Sequence, residues 1–187
     1  MKNIAVYCGA RDGNGEIYKE SAREVGNWLV KSGWGLVYGG GHAGLMGAVA
    51  DAVLAKGGEV IGVIPTFLKE EELAHEGLTK MYEVSDMHER KKMMIDLSQA
   101  YLVLPGGLGT LEEVAEVLSW ERLGVLKYPC AIYNVGGFYD AFADLCKKMA
   151  EEGFLSQSDA DKIFISDSLD AIAEFIETYK PSDVILF

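Results

Sequence analysis

Apolar and polar positions follow two rhythms along this chain. Short, nearly continuous apolar runs occur at Asn3–Cys8, Gly35–Tyr38, Glu59–Ile64, Ala100–Leu104 and Pro129–Tyr133. Their length and their lack of a polar face predict strands covered on both sides. Between them the apolar residues recur at helical spacing. Ile17–Lys31 places Ala22, Val25, Trp28 and Leu29 on one face, and Gly44–Ala55 does the same with Leu45, Ala48, Val49 and Ala52. Met87–Ser98, Leu111–Leu123 and Phe138–Glu152 follow, and a last pair of segments, Lys162–Ile165 and Leu169–Tyr179, closes the pattern. The stretch Pro65–Thr79, with its run Lys69-Glu70-Glu71-Glu72, breaks the alternation and reads as a partly helical loop over the site.

Strand alternating with helix predicts βαβ units with right-handed crossovers. The expected fold is α/β: a Rossmann-like, doubly wound, mostly parallel sheet with helices on both faces, formed by residues 1–187 as a single domain. Ligands bind such sheets at the carboxyl ends of the strands, near the point where the strand order reverses. Candidate chemistry is therefore sought just after strands.

Two glycine-rich turns stand there. The first, Tyr38-Gly39-Gly40-Gly41-His42-Ala43-Gly44-Leu45-Met46-Gly47, follows a strand and opens a helix. It reads equally as a ligand cradle and as a tight turn with small residues for helix–sheet packing. Gly39, Gly41 and Gly44 fit the GxGxxG string, but no acidic residue ends a second strand about 20 residues on, as a dinucleotide site requires. The second turn is Leu104-Pro105-Gly106-Gly107-Leu108-Gly109-Thr110-Leu111-Glu112-Glu113. Thr110 as N-cap with Glu113 three residues later would make a capping box. That leaves Gly106, Gly107 and Gly109 unexplained, and a phosphate or carboxylate cradle explains them better. No Lys-Ser/Thr follows the glycines, so a nucleoside triphosphate with Mg²⁺ is disfavoured.

Asp86-Met87-His88-Glu89-Arg90-Lys91-Lys92 begins a helix, with Asp86 as its N-cap. Glu89 and Lys92 read as solvated surface. Arg90 is the candidate to grip phosphate or ribose oxygens in bidentate fashion. Glu113, after the second glycine turn, is placed to stabilise an oxocarbenium ion or to help activate water. Glu112 reads as surface. His42, His75 and His88 are scattered, so no metal site is expected, and no cofactor is demanded.

Charge narrows the partners. The net charge of −12 argues against nucleic acid. A small anion held by backbone amides and one or two cations is still compatible with it. Apolar runs fall short of the roughly 18–20 residues that span a membrane, and the N-terminus lacks the pattern of a signal peptide. Three widely spaced cysteines, Cys8, Cys130 and Cys146, suggest neither zinc knuckle nor disulfide framework and fit a reducing cytoplasm.

Taken together, Gly39–Gly47, Met87–Lys91 and Pro105–Glu113 closely resemble the LOG ("Lonely Guy") family, whose pattern is PGGxGTxxE with an upstream Arg-Lys pair. The resemblance runs from the Cys8-Gly9 turn to Trp120–Gly124. It implies a phosphoribohydrolase that cuts the N-glycosidic bond of a cytokinin-type adenosine 5′-monophosphate to free base and ribose 5-phosphate. Arg90 and Glu113 match the catalytic pair. Gly106, Gly107, Gly109 and Thr110 match the phosphate loop, with Gly40 and Gly41 of the first turn as further substrate contacts. Glu72, Lys91 and Ser119 fall at nucleotide-contacting positions; Ser119 stands where plant members have Thr, and Leu108 where many have Tyr. The resemblance also implies a homodimer with the site close to the subunit interface. Lysine decarboxylase, a name sometimes given to this family, needs a Schiff-base lysine and a pyridinium partner, and neither Lys91 nor Lys92 has that setting. A general AMP or purine nucleotide nucleosidase and a non-catalytic nucleotide-binding module are the competing readings.

Overall fold

The computed structural model describes residues 2–69 and 73–181. Seven strands form one sheet: β1 (Lys2–Tyr7), β2 (Trp34–Tyr38), β3 (Val60–Pro65), β4 (Lys80–Val84), β5 (Ala100–Val103), β6 (Cys130–Tyr133) and β7 (Phe164–Ser166). All neighbours pair in parallel, in the order β4-β3-β2-β1-β5-β6-β7. The chain builds outward from β1 to β4, then crosses back to place β5 on the other side of β1. The order therefore reverses between β1 and β5, where a ligand crevice is expected.

The helices are α1 (Glu16–Lys31), α2 (Gly44–Leu54), α3 (Met87–Asp96), α4 (Leu108–Arg122), α5 (Asp140–Glu151), α6 (Gln157–Ala160) and α7 (Leu169–Thr178). Strand side chains alternate between two cores, as a period of two dictates. Ile4, Val6, Leu36, Tyr38, Leu102 and Leu104 face a core shared with α1, α2 and α7. Ala5, Tyr7, Val37, Val63, Tyr101 and Val103 face a second core with Met94 and Ile95 of α3 and Val114 and Val117 of α4. Each fully buried aliphatic side chain contributes roughly 1.5–3 kcal/mol, so the central strands lock the floor of the site. At Gly26 of α1 a Cβ would lie 2.6 Å from the Ala52 Cβ of α2 and 2.7 Å from the Val49 carbonyl, which is why these helices approach so closely.

The five expected strands are present within a residue or two. Edge strand β4 is additional, and Lys162–Ile165, expected to be helical, instead leads into edge strand β7, Phe164–Ser166, which pairs in parallel with β6. The expected loop over the site contains a 3₁₀ turn at Thr66–Leu68. Among the described residues no helix is long and apolar enough to cross a membrane.

Candidate active site

A cavity of about 510 Å³ opens at the carboxyl ends of β1, β2 and β5. Its floor comes from the turn after β1, residues 8–13, and from Gly39 after β2. One wall is Pro105, Gly106, Gly107, Gly109, Thr110 and Glu113, running from the end of β5 into α4. The opposite wall is Arg90 with Met87 and Met94 of α3, and Leu45, Met46, Leu68 and Phe138 extend the apolar lining.

Gly9 ties this floor together. Its N–H donates to the Pro105 carbonyl at 3.0 Å, and its carbonyl accepts from Leu45 N at 3.0 Å and Met46 N at 3.3 Å. The first turn of α2 is thus bound within the protein. α4 begins differently. Gly107 is its N-cap in extended backbone, and no side chain caps it. Expectation and structure differ here: Thr110 is not the N-cap, because the helix starts at Leu108 rather than Leu111. Thr110 is instead buried in the first turn, with its hydroxyl against Gly106, where a Cβ would collide with it. Glu113 consequently sits in the second turn. At Gly107 and Gly109 no atom beyond the chain neighbours and the helix's own backbone lies within 4 Å of where a Cβ would be, and neither has positive φ. Helix-initiating N–H groups carry partial positive charge and lack intrahelical acceptors. A small anion fits this end.

Arg90 is only 5% exposed, yet lines the cavity. Its Nε donates to the Val63 carbonyl at 3.1 Å and its Nη2 to the Gly39 carbonyl at 2.7 Å. Any side chain on Gly39 would overlap the guanidinium. Gly39, marked in the sequence only as the first glycine of a GxGxxG string, is therefore the seat of this arginine. The start of α3 is secured by Asp86, whose carboxylate accepts from Glu89 N at 2.9 Å, and by Glu89, which accepts from Ser85 N at 2.8 Å. Those backbone donors hold both carboxyls below their ordinary range. The Tyr7 hydroxyl is pushed well upward, first by burial and then by the charge of Glu113.

The remaining candidates part company with the cavity. Gly40 and Gly41 do not line it; Gly40 has φ +82° and packs against Ile64 and Met81, and Gly41 forms an antiparallel bridge with Ala74. Lys91, one residue from Arg90, points to the other side of α3. Its buried Nζ meets Glu112 at 2.9 Å and Glu116 at 3.2 Å. Burial pulls its pKa down, but these two hydrogen bonds outweigh that and raise it. Ser119 lies on the outer side of α4, in a separate cavity of about 200 Å³ that also includes Phe142 and Cys146 of α5. Glu72 lies outside the described residues. The scatter of histidines is also corrected: the rings of His42 and His75 are 4.7 Å apart. The turn after β1, the methionines and Phe138 were missed as lining. The strand-end rule pointed at residues 8–13, but nothing local marked the rest.

Residues 46–176 match the family model described as "Possible lysine decarboxylase". Cytokinin riboside 5′-monophosphate phosphoribohydrolase LOG1 of Arabidopsis thaliana is 42% identical over 181 residues, covering 97% of this chain and 85% of its own. The LOG enzyme of Oryza sativa subsp. japonica is 46% identical over 166 residues, covering 89% and 68%. A bacterial enzyme of the same name, from Rhodococcoides fascians, is 41% identical over 165 residues, covering 88% and 83%. Among solved structures, a structural-genomics target superposes with a TM-score of 0.73 at 21% identity, covering 96% of this chain and all of that one. The Moco carrier protein of Chlamydomonas reinhardtii superposes with a TM-score of 0.69 at 19% identity, covering 96% and 100%. These two likenesses concern the fold alone. With 41–46% identity to these enzymes over most of its length, the chain belongs to the LOG family of cytokinin riboside 5′-monophosphate phosphoribohydrolases.

Proposed function

We propose that this protein hydrolyses the N-glycosidic bond of N6-modified adenosine 5′-monophosphate, releasing the free base and ribose 5-phosphate. The observation that carries the reading is the uncapped start of α4. Gly107 and Gly109 face open space there, on the same cavity as Arg90 and Glu113. The phosphate docks on the α4 amides, with Gly106, Gly107, Gly109 and Thr110 leaving room for it. Arg90, oriented by two carbonyls, grips phosphate or sugar oxygens. Glu113 faces C1′, where positive charge grows as the bond to the base stretches, and assists attack by water. Water supplies hydroxyl to C1′ and a proton to the departing base. The wall of Met46, Leu68, Met87 and Met94 suits an apolar N6 substituent.

Gly40, Gly41, Lys91 and Ser119 act, in this reading, by shaping the surroundings rather than by contact within one chain. The protein works as a homodimer in the cytoplasm. Exposed Leu111, Leu123 and Val125 supply an apolar surface on and just beyond α4, and Cys8, Cys130 and Cys146 form no disulfide among the described residues. Light scattering should give twice the 20.4 kDa chain mass; a monomer would contradict the dimer.

The test is a product assay with AMP and N6-isopentenyladenosine monophosphate, following base and ribose 5-phosphate by chromatography. Faster base release from the modified nucleotide supports the proposal. Preference for AMP would make the protein a general purine nucleotide nucleosidase, and tight binding without release would make it a binding module.

A further inference from the structure

His42, Asp51 and His75 come from three places in the chain: the turn after β2, the middle of α2, and the segment entering β4. Their ligand atoms all lie within 4.8 Å of one another. His75 Nε2 is 3.0 Å from Asp51 Oδ1, and the two imidazole rings meet edge to face. The arrangement is braced by backbone. His42 N donates to the Leu73 carbonyl and His75 N to the Gly40 carbonyl, both at 2.9 Å. None of the three lines the cavity of the proposed reaction.

We infer that His42, Asp51 and His75 form a binding site for a borderline divalent transition ion, of which Zn²⁺ is the type. Two imidazoles and one carboxylate are the donor set of zinc sites that keep a position open. Imidazole is a poor ligand for the hard cations Mg²⁺ and Ca²⁺, so the site discriminates against them. His42 and Asp51 also help to line a cleft of about 590 Å³, which leaves room for a water as fourth ligand. Two cations border that cleft, but Lys19 is paired with Asp12 at 3.2 Å and Arg23 with Glu16 at 3.4 Å.

Ligation has a structural consequence at His75. Its Nδ1 accepts from Gly77 N at 3.0 Å, which puts the ring proton of the neutral imidazole on Nε2, toward Asp51. A metal on Nε2 moves that proton to Nδ1, and the contact with Gly77 opens. The exposed Gly77 N–H then turns to water. The bound ion ties residues 73–75 to the turn whose Gly39 carbonyl holds Arg90, so it stiffens one wall support of the cavity without entering it.

The experiment is titration of the tag-free protein with Co²⁺, read by the visible absorption of four-coordinate cobalt, followed by competition with Zn²⁺ and with Mg²⁺. Saturable cobalt colour at one ion per chain, displaced by Zn²⁺ but not by Mg²⁺, is expected. His42→Ala and Asp51→Asn should each weaken it by on the order of 100-fold, at or beyond the upper cost of losing a supporting contact. His88→Ala, which removes the one histidine outside the cluster, should leave it unchanged. Absence of cobalt colour, or binding that survives His42→Ala, overturns the site. The readout is independent of catalysis, so its failure is distinguishable from failure of the hydrolase reading.

Discussion

The two glycine turns of this protein look alike in sequence and do opposite work. In the first, Gly39–Gly47, the glycines exist because protein atoms crowd them. A Cβ on Gly44 would strike the backbone of Ala10 and Arg11, one on Gly47 the His42 carbonyl, and one on Gly39 the Arg90 guanidinium. The amides of Leu45 and Met46 are spent on Gly9. In the second, Gly106 is crowded by Thr110, but Gly107 and Gly109 face open space at an uncapped helix start. Glycine costs stability in a helix relative to alanine, so a glycine there without crowding or positive φ calls for something outside the chain. The first turn builds the scaffold, and the proposed function gives the second to the ligand.

The largest effect that sharpens this division falls on Glu113. Glu113→Gln should lower kcat by about 10²–10⁴-fold, the range for a positioned acid–base group, with KM nearly constant and Tm preserved. A loss confined to KM would move Glu113 from chemistry to binding.

Glycine substitutions test the comparison itself. Gly47→Ala should destabilise by about 1–3 kcal/mol, as overpacking does, with Tm falling roughly 2–4 °C per kcal/mol. Gly109→Ala should do the reverse. It should hold or raise stability by up to about 1 kcal/mol while raising KM about tenfold or more, the equivalent of one weakened hydrogen bond to a charged group. Thermal denaturation and steady-state kinetics on the two variants check both halves. Equal stability losses would erase the distinction.

The smallest effect concerns the start of α3. Asp86 has a carboxyl held low by its bond from Glu89 N. A group lowered in the folded state stabilises above its unfolded pKa and loses that contribution as pH falls through the folded value. The stability gap between the wild type and Asp86→Ala should therefore be full at neutral pH. It should shrink as pH drops below about 4, where an ordinary aspartate titrates. Denaturant melts across that range measure it. A gap that widens in acid would contradict the assignment of the cap.

Legibility in the sequence followed burial. The central strands β1, β2, β3, β5 and β6 are covered on both faces and appear as unbroken apolar runs. β4, Lys80–Val84, is half exposed at a sheet edge, and β7 has three residues, all partly exposed; neither makes such a run. Arg90, Glu113 and the Gly106–Thr110 loop were readable because they stand just after strand ends or open a helix beside them. Lys91 and Ser119 came only from the family resemblance, and within one chain they face away from the cavity. Thr110 was misplaced as a cap because its spacing to Glu113 satisfies the capping-box rule, whereas Gly107 starts the helix three residues earlier. The His42–His75 contact was invisible because the two residues lie 33 positions apart in the chain, a gap that the pairing of Gly41 with Ala74 helps to close.

The most direct test compares N6-isopentenyladenosine 5′-monophosphate with the same nucleoside lacking phosphate, in the wild type and in Gly109→Ala. If the α4 start is the phosphate cradle, the wild type should favour the monophosphate by about 10²–10⁴-fold in kcat/KM, as two hydrogen bonds to a charged group would give. Gly109→Ala should lose most of that preference. Equal turnover of both substrates by the wild type, or an unchanged preference in the variant, would contradict the role assigned to this turn.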